Sequence, residues 1–458
     1  MVFPIAGGNE SKGYEISNSL RFNDGDSPAL SFTPSGNPTD ADKFTLSCWI
    51  KLGNIGVSNE KIYDTGGTDD NNKFTLQFFG TNSTLMTANN SGVSTVTSAV
   101  LRDPSAWYHV VAAIDSQNST TNDKHIIYIN GTRAELGTNN LGSQSQVGAM
   151  TNGVAQFIGR NGVSTQDYFD GYMTEFHLVD GQQLAPTDFG EFDDNGVWIP
   201  KKYTGTYGTN GFFLEFKQTG TSQNSSGIGA DTSGQDNHFA VSNLAATDVT
   251  TDTCTNNFAT FNPLIRGAYT LSEGNCKITG GSSETIDNSG VATISMDSGK
   301  FYCEMKPTDV GGNPLFGIIE IDGWNQGSNS LAFNGYFYKK SGQKIPYAGS
   351  GGSNADYGSA ISANDIVSLL YDADNGTLSF YLNGSSQGDA FTSIDTSKTW
   401  TFITWDNTTS GASVVEANFG NPAFAISSGN NDGKYGNFEY AVPSGYFSLN
   451  TKNLAEYG

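Results

Sequence analysis

The sequence predicts an all-β fold composed of two antiparallel β-sandwich (jelly-roll) domains in tandem. Short segments in which apolar and polar residues alternate recur along the 458 residues, and clusters of Gly, Asn, Asp and Ser separate them. This pattern is typical of antiparallel strands joined by turns. No segment longer than about ten residues repeats apolar residues with a helical period. Only 15% of the residues are charged, which excludes coiled coils and long charged surface helices.

The first block of predicted strands precedes residue 217. Its segments are 44–51, 73–79, 109–115, 125–129, 168–179 and 212–216. The fourth segment ends at Asn130-Gly131, a dipeptide typical of hairpin turns because both residues tolerate positive φ. We therefore assign residues 1–217 to a first sandwich.

Residues 218–249 are rich in Gly, Ser, Thr and Gln and poor in apolar residues, which predicts a linker. A second block of strands follows and assigns residues 250–458 to a second sandwich. Its clearest segments are 300–306, 315–321, 332–339, 366–371, 377–382, 400–404 and 414–419.

The charge balance limits the partners that we expect. The chain has 23 basic and 46 acidic residues, a formal net charge of -23. A chain this acidic repels phosphate backbones and anionic lipids, so we expect neither nucleic-acid binding nor adsorption to membranes. No apolar run reaches the roughly 20 residues that a membrane-spanning helix needs, so we expect no membrane insertion.

The sequence does not predict an enzyme. Retaining glycosidases need two carboxyl groups about 5 Å apart, and Glu320 and Asp322 begin such a pattern on one strand. The next positions, Gly323, Trp324 and Asn325, supply no further carboxylate. The four histidines lie far apart in sequence, and no Ser-His-Asp grouping or nucleophile elbow is present. A polysaccharide-degrading enzyme remains the alternative.

Calcium is the one cofactor that the sequence leaves open. Asp170 and Asp180 are candidate ligands because the domain family that the first block resembles, described below, often binds calcium, and carboxylate oxygens in loops are suitable ligands for Ca²⁺. A glycine follows each of them, however, and Asp-Gly is a dipeptide typical of turns. We therefore favour turn formation over calcium binding at both positions. The four cysteines form no Cys-x-x-Cys pair, which makes a zinc site improbable.

Candidate carbohydrate-binding residues are predicted in the second block. Aromatic rings can stack on the C–H faces of sugars, while Asn and Asp side chains bind their hydroxyl groups. The candidates are Trp324, Asn325, Tyr336, Tyr338, Trp405, Asp406 and Asn407. Packing in a β core is the competing interpretation for each aromatic residue.

Each block also resembles a known domain family. The first resembles the concanavalin A-like, laminin-G type jelly roll, on residues 44–51, 107–111, 128–131, 158–160 and 169–172. The second resembles a SPRY domain, on residues 298–304, 365–372, 376–384, 417–420 and 443–446.

The combined arrangement resembles virion proteins of tailed phages, particularly marine-type phages. Residues 13–22, 169–176, 189–192 and 203–212 carry this resemblance. It implies a structural protein on the exterior of a phage particle: a tail fibre, appendage or head decoration.

The resemblance also implies partners. Lectin-like domains would bind host surface glycans, other virion proteins would hold the chain, and the chain would form a homo-oligomer such as a trimer. Residues 1–18 are a candidate docking segment. A purely architectural virion protein without ligand is a further alternative.

Overall fold

The structure is a computed structural model in which strands predominate. It describes residues 13–56, 59–67, 73–80, 83–88, 94–141, 153–265, 269–280, 289–321, 333–349, 351–408 and 411–458. These residues form two compact units, 13–255 and 256–458. Within them the single α-helix is α1 (Thr451–Tyr457), and no helix is long and apolar enough to cross a membrane. The prediction of an all-β fold with antiparallel sheets is confirmed.

The first unit contains eighteen strands within the described residues. They are β1 (Ser19–Phe22), β2 (Ala29–Phe32), β3 (Lys43–Leu52), β4 (Lys61–Thr65), β5 (Thr75–Phe79), β6 (Thr84–Ala88), β7 (Ser94–Thr97), β8 (Trp107–Asp115), β9 (His125–Ile129), β10 (Thr132–Arg133), β11 (Leu136–Asn139), β12 (Gln156–Ile158), β13 (Gly171–Asp180), β14 (Gly190–Phe192), β15 (Trp198–Pro200), β16 (Phe212–Leu214), β17 (Ala240–Ser242) and β18 (Val249–Thr250).

Two antiparallel sheets build the first unit. One has the order β10-β9-β8-β3-β13-β1-β18, with β16 beside β13, and the other has the order β11-β7-β6-β5-β4-β12-β2-β17. Alternate residues of β3, namely Phe44, Leu46, Cys48 and Ile50, enter the core, because successive side chains of a strand point to opposite faces. Phe44 packs edge-on against Phe74, with ring centroids 5.0 Å apart.

The structure corrects the predicted linker at residues 218–249. This segment belongs to the first unit, and strand β17 within it pairs with β2. Its large apolar side chains contribute to the core: Ile228, Phe239 and Leu244 are buried there, and Val241 and Val249 pack against it partly buried. The polar residues hold the intervening turns together: the Asp231 carboxylate accepts hydrogen bonds from three backbone amides. A polar composition therefore hid a segment that contributes to the core.

The first and last strands of this unit pair with each other. Ser19 of β1 lies opposite Thr250 of β18, and their hydroxyl oxygens are 2.6 Å apart. Before β1, the Ile16 amide donates to the Thr255 hydroxyl, and the Thr253 hydroxyl donates to the Ile16 carbonyl. Of the predicted docking segment 1–18, residues 13–18 are thus held within the first unit, and residues 1–12 lie outside the described residues.

The second unit contains sixteen strands within the described residues. They are β19 (Thr270–Ser272), β20 (Lys277–Thr279), β21 (Ser289–Val291), β22 (Lys300–Val310), β23 (Pro314–Glu320), β24 (Phe333–Lys339), β25 (Gln343–Gly349), β26 (Ala355–Asp356), β27 (Val367–Asp372), β28 (Thr377–Leu382), β29 (Ser385–Phe391), β30 (Trp400–Asp406), β31 (Ser413–Asn418), β32 (Asn430–Asn431), β33 (Asn437–Phe438) and β34 (Phe447–Ser448).

Two larger sheets again enclose the core. Their orders are β19-β20-β31-β22-β27-β28-β29, with β34 beside β22, and β21-β30-β23-β24-β25-β26. The second sheet buries apolar side chains on both faces. Phe316, Ile318 and Phe402 lie in the main core, while alternate residues such as Leu315 and Ile403 belong to a separate cluster on the other face.

Candidate functional site

The aromatic residues predicted for sugar binding are largely enclosed. Trp324 and Asn325 lie outside the described residues. Tyr338 has no exposed surface, and its hydroxyl donates to the Ser359 carbonyl. Trp405, only 1% exposed, packs against other aromatic rings. The structure therefore corrects the expected loop-edge positions of Tyr338 and Trp405, because β24 and β30 belong to the sheet that is apolar on both faces.

The remaining predicted residues of the second unit hold loops and side chains together. Tyr336 is half-buried between Phe391 and Trp400, with ring centroids 5.0 and 5.4 Å away. Both Asp406 carboxylate oxygens accept backbone amides, from residues 313 and 413. The Asn407 amide donates to the Tyr347 hydroxyl. The described members of the predicted set thus make structural contacts, and their role in sugar binding stays a prediction.

Asp170 and Asp180 do not share one site. Asp170 immediately precedes the ten-residue strand β13, and Asp180 is its last residue. At about 3.3 Å per residue, their Cα atoms are therefore about 30 Å apart. The Asp180 carboxylate accepts the amides of Thr39, Asp40 and Asn210, which is the contact pattern of a turn. Among the described residues no group of three or more His, Cys, Asp or Glu could hold a metal ion. Calcium binding stays a prediction.

Asp170 lies against Glu60, a neighbour that the sequence did not reveal. The Asp170 amide donates to Glu60 Oε2 at 3.4 Å, and both residues are buried. Burial, followed by the charge of Asp170, raises the pKa of Glu60 to about 9. Glu60 is therefore protonated at neutral pH, which is the opposite of what a cation ligand requires.

An exposed turn of the first unit has a different character. Strands β14 and β15 form a hairpin in which Phe192 lies opposite Trp198, and we call residues 192–197 the hairpin tip. The Phe192 and Val197 side chains are 55% and 56% exposed. The Asp193 carboxylate accepts the amides of Asn195 and Val197 at 2.9 and 2.8 Å, which closes the turn.

A row of buried aromatic rings packs against the side of Phe192 that faces the protein. The Phe192 ring meets the Trp198 ring edge-on, with centroids 4.9 Å apart. Trp198 stacks on His109 at 5.9 Å, and His109 stacks on Trp49 at 4.8 Å. We call Trp198, His109 and Trp49 the aromatic column. It fixes the exposed ring from the buried side.

Hydrogen bonds fix the orientation of the column. Trp198 Nε1 can only donate, so His109 Nδ1 accepts at 3.0 Å and His109 Nε2 carries the proton that it donates to Ser47 Oγ at 2.8 Å. Burial lowers the pKa of His109 to about 3, so the column carries no charge at neutral pH.

Two glycines make room for Trp198. A Cβ atom at Gly131 or Gly190 would overlap the indole ring, and Gly131 has a φ of +76°. The Asn130-Gly131 turn predicted from the sequence therefore also forms the surface on which Trp198 lies. The sequence did not indicate Phe192 as a site residue; the only available signal was an aromatic and an aliphatic residue flanking the turn residues Asp193 to Gly196.

Two family models match the chain. Residues 24–186 match the concanavalin A-like lectin/glucanases superfamily, and residues 285–420 match the SPRY domain. The chain therefore contains a concanavalin A-like domain followed by a SPRY domain, as predicted. The hairpin tip and residues 421–458 lie outside both matches.

Solved structures show weaker similarity. The SPRY domain of human HERC1 is 18% identical, with 34% of this chain and 96% of that chain covered and a TM-score of 0.28. A putative carbohydrate binding protein from Bacteroides ovatus is 15% identical, with 50% and 58% covered and a TM-score of 0.33. A heptameric SAP-like pentraxin from Limulus polyphemus is 16% identical, with 38% and 80% covered and a TM-score of 0.29. Scores this low carry no functional argument.

Proposed function

We propose that this protein is a non-enzymatic, carbohydrate-binding structural protein on the exterior of a phage particle, as a tail fibre, appendage or head decoration. The observation that carries the carbohydrate-binding part is the match of residues 24–186 to a superfamily of lectins and glucanases. The phage assignment is supported by the resemblance of the whole sequence arrangement to virion proteins.

The structure favours binding over hydrolysis within that superfamily. A glycosidase needs two accessible carboxyl groups on either side of the sugar bond. The carboxyl groups of Glu60 and Asp170 lie together in the first unit, but these residues are only 5% and 3% exposed. A glycosidic bond cannot enter between them without opening the fold.

A particle surface suits a weak binding protein. Single sugar sites bind weakly, but many copies on one particle raise the effective concentration, so the combined affinity exceeds that of one site. We therefore propose host surface glycans and other virion proteins as partners, with the chain acting as a homo-oligomer.

A glycan array and an adsorption assay test this function. The full chain, presented on beads in many copies, should bind a subset of oligosaccharides without shortening them, and soluble chain should block adsorption of the phage that encodes it. If beads carrying many copies bind no oligosaccharide at chain concentrations up to about 100 μM, where even a site with a Kd of about 100 μM is half-occupied, carbohydrate binding is contradicted. Release of shorter oligosaccharides would instead identify a degrading enzyme.

The virion assignment has its own test. Mass spectrometry of purified particles should detect this chain among the structural proteins. Its absence from particles, with the chain present in infected cells, would contradict the virion role and leave carbohydrate binding to be judged by the array.

A further inference from the structure

We propose that the hairpin tip is the sugar-contact surface of the first unit and that it takes a neutral hexose ring rather than an acidic sugar. This inference rests on the proposed carbohydrate-binding function and adds the site and the ligand class. The match to the lectin and glucanase superfamily ends at residue 186, so the tip lies beyond the matched region.

Exposure singles out the hairpin tip. Six large apolar side chains are exposed among the described residues, and two of them, Phe192 and Val197, lie on this one turn. Val197 is the neighbour of Trp198, which lies across the hairpin from Phe192, so strand alternation points Val197 away from the face that carries Phe192. The exposed Phe192 ring is therefore the apolar surface that this face of the turn offers to a ligand, and an aromatic ring can pack against the C–H groups of a sugar ring.

Rigidity is the second argument. A binding ring that is already held in place loses little conformational entropy when its ligand arrives. Phe192 is held edge-on by Trp198, whose indole donates to His109 and lies over Gly131 and Gly190. The Asp193 carboxylate fixes the turn itself.

Charge selects the class of sugar. Three acidic residues stand next to Phe192 in sequence, the exposed Glu191 and Asp194 and the half-buried Asp193. Carboxylates accept hydrogen bonds from sugar hydroxyls but repel carboxylate and sulfate groups. The nearest lysine in sequence, Lys201, donates to the Thr187 carbonyl. The exposed amide of Asn195 can both donate and accept.

Size argues for a sugar rather than a protein partner. A stable protein interface covers about 800 Å² on each side and some 20–30 residues. The hairpin tip offers one exposed aromatic ring on a six-residue turn, which matches one sugar ring far better than a protein surface.

The test compares Phe192→Ala with Phe79→Ala. Phe79 ends β5 in the same unit and is 42% exposed, so it controls for loss of an exposed phenyl ring. The probes are neutral glucose- and galactose-terminated oligosaccharides and a matched series that ends in a uronic acid. We expect Phe192→Ala to weaken binding of a neutral probe by about tenfold or more, Phe79→Ala to leave it unchanged, and the uronate series to bind more weakly than the neutral one.

Three further measurements keep the outcome decisive. Both variants should melt within about 2 °C of the parent, since surface substitutions change stability little. Asn195→Ala leaves the Phe192 ring in place and should weaken binding of the neutral probe by a smaller factor, about threefold. Binding to the neutral probe should change little between low and high salt, because the ligand carries no charge.

The possible failures are distinguishable. Unchanged binding by Phe192→Ala would overturn the hairpin tip as the site while the proposed function stands. Stronger binding of the uronate series would overturn the ligand class. An oligomer that dissociates in Phe192→Ala without any change in sugar binding would make the tip a self-association surface and overturn the inference. A parent chain that binds no oligosaccharide would overturn the proposed function and the inference together.

Discussion

The two units share an architecture but bury polar groups in different ways. All four histidines lie in the first unit, which also buries the ion pair of Lys51 and Asp252, with Nζ and Oδ2 2.8 Å apart and neither side chain more than 1% exposed. The second unit has no histidine, and its buried carboxylates accept backbone amides, as Asp180 and Asp231 also do in the first unit. Glu304 accepts the amides of Glu439 and Tyr440, both at 2.9 Å.

This difference teaches where pH and charge act. Buried groups that must stay neutral make the stability of a unit depend on pH. Buried charged groups that must stay paired make it depend on the presence of both partners. We therefore expect the first unit to respond to acid and to charge removal more strongly than the second. Buried methionines allow the unfolding of each unit to be measured separately, because Met173 lies in the first core and Met305 in the second. Unfolding in rising urea exposes each methionine to oxidation, and mass spectrometry gives the urea concentration at which half of it is oxidised.

The largest effect is expected from Lys51→Met. The substitution leaves the buried Asp252 carboxylate without its cation, which should lower the free energy of unfolding of the first unit by about 3–5 kcal/mol. Urea-dependent oxidation of Met173 should shift to lower urea, while that of Met305 does not. The control is Lys43→Met on the same strand, because Lys43 pairs with Asp115 at a partly exposed position and should cost about 1 kcal/mol or less. Equal effects of the two variants would contradict the prediction.

Acid should destabilise the first unit selectively. Burial lowers the pKa of His109 to about 3 and that of His125 to about 4. Below about pH 6.5 the unfolded chain protonates both residues while the folded unit does not, so the unfolded state binds more protons and the free energy of unfolding falls as pH falls.

The two histidines should remove roughly 6 kcal/mol between pH 7 and pH 4, and Glu60, with its pKa raised to about 9, should offset about half of that. The net loss of roughly 3 kcal/mol is measured as an earlier Met173 oxidation midpoint. His125→Gln should reduce this loss, because it removes one of the two groups that resist protonation. If the Met173 and Met305 midpoints shift equally between these pH values, histidine burial is not the source of the acid response.

In the second unit, Glu304→Ala should have the largest effect. It removes the acceptor for two backbone amides and for the Tyr302 hydroxyl, and buried donors without partners cost about 1–3 kcal/mol. The Met305 midpoint should fall by an amount corresponding to about 2 kcal/mol, with Met173 unaffected. Glu456→Ala, at an exposed position, is the control and should leave both midpoints in place.

The effect of Glu60→Gln is expected as a dependence on pH rather than as a fixed loss. The pKa of Glu60 is raised to about 9, so its contribution to stability is fully present below the unfolded value near 4.5 and is lost as pH rises toward 9. The free energy of unfolding of the variant should therefore rise relative to that of the parent by about 1.4 kcal/mol for each pH unit between pH 4.5 and pH 8. A stability difference that does not change with pH would show that Glu60 titrates normally. As pH falls, Glu60 stabilises the first unit while the buried histidines destabilise it. Repeating the acid experiment with Glu60→Gln therefore isolates the contribution of the histidines.

The strands were predictable because their pattern is local. The predicted segments 44–51, 125–129 and 377–382 coincide closely with β3, β9 and β28, since alternation of apolar and polar residues reflects a sheet with one buried face. Residues 218–249 were misassigned because the few apolar side chains that anchor them are spread thinly among polar residues and composition averages over a segment. Long-range contacts, here β17 on β2, leave no local signal.

The candidate site was less predictable because exposure is a property of the assembled fold. Trp405 and Phe192 are both aromatic residues beside polar turns, yet the first is enclosed by a second apolar cluster and the second stands in solvent. Which face of a strand is covered depends on segments far away in sequence. Likewise, the raised pKa of Glu60 follows first from its burial and then from the charge of Asp170, 110 positions further on.

The pairing of β1 with β18 determines how the first unit responds to force. Because the strands are antiparallel, the chain enters β1 beside Thr250 and leaves β18 beside Ser19, so both connections emerge at one corner. Tension applied through residues 13 and 255 would separate this edge pair of the sheet one hydrogen bond after another, as a zipper opens, before it loads the pairing of β1 with β13. The unit would thus yield first at its seam and keep its interior intact.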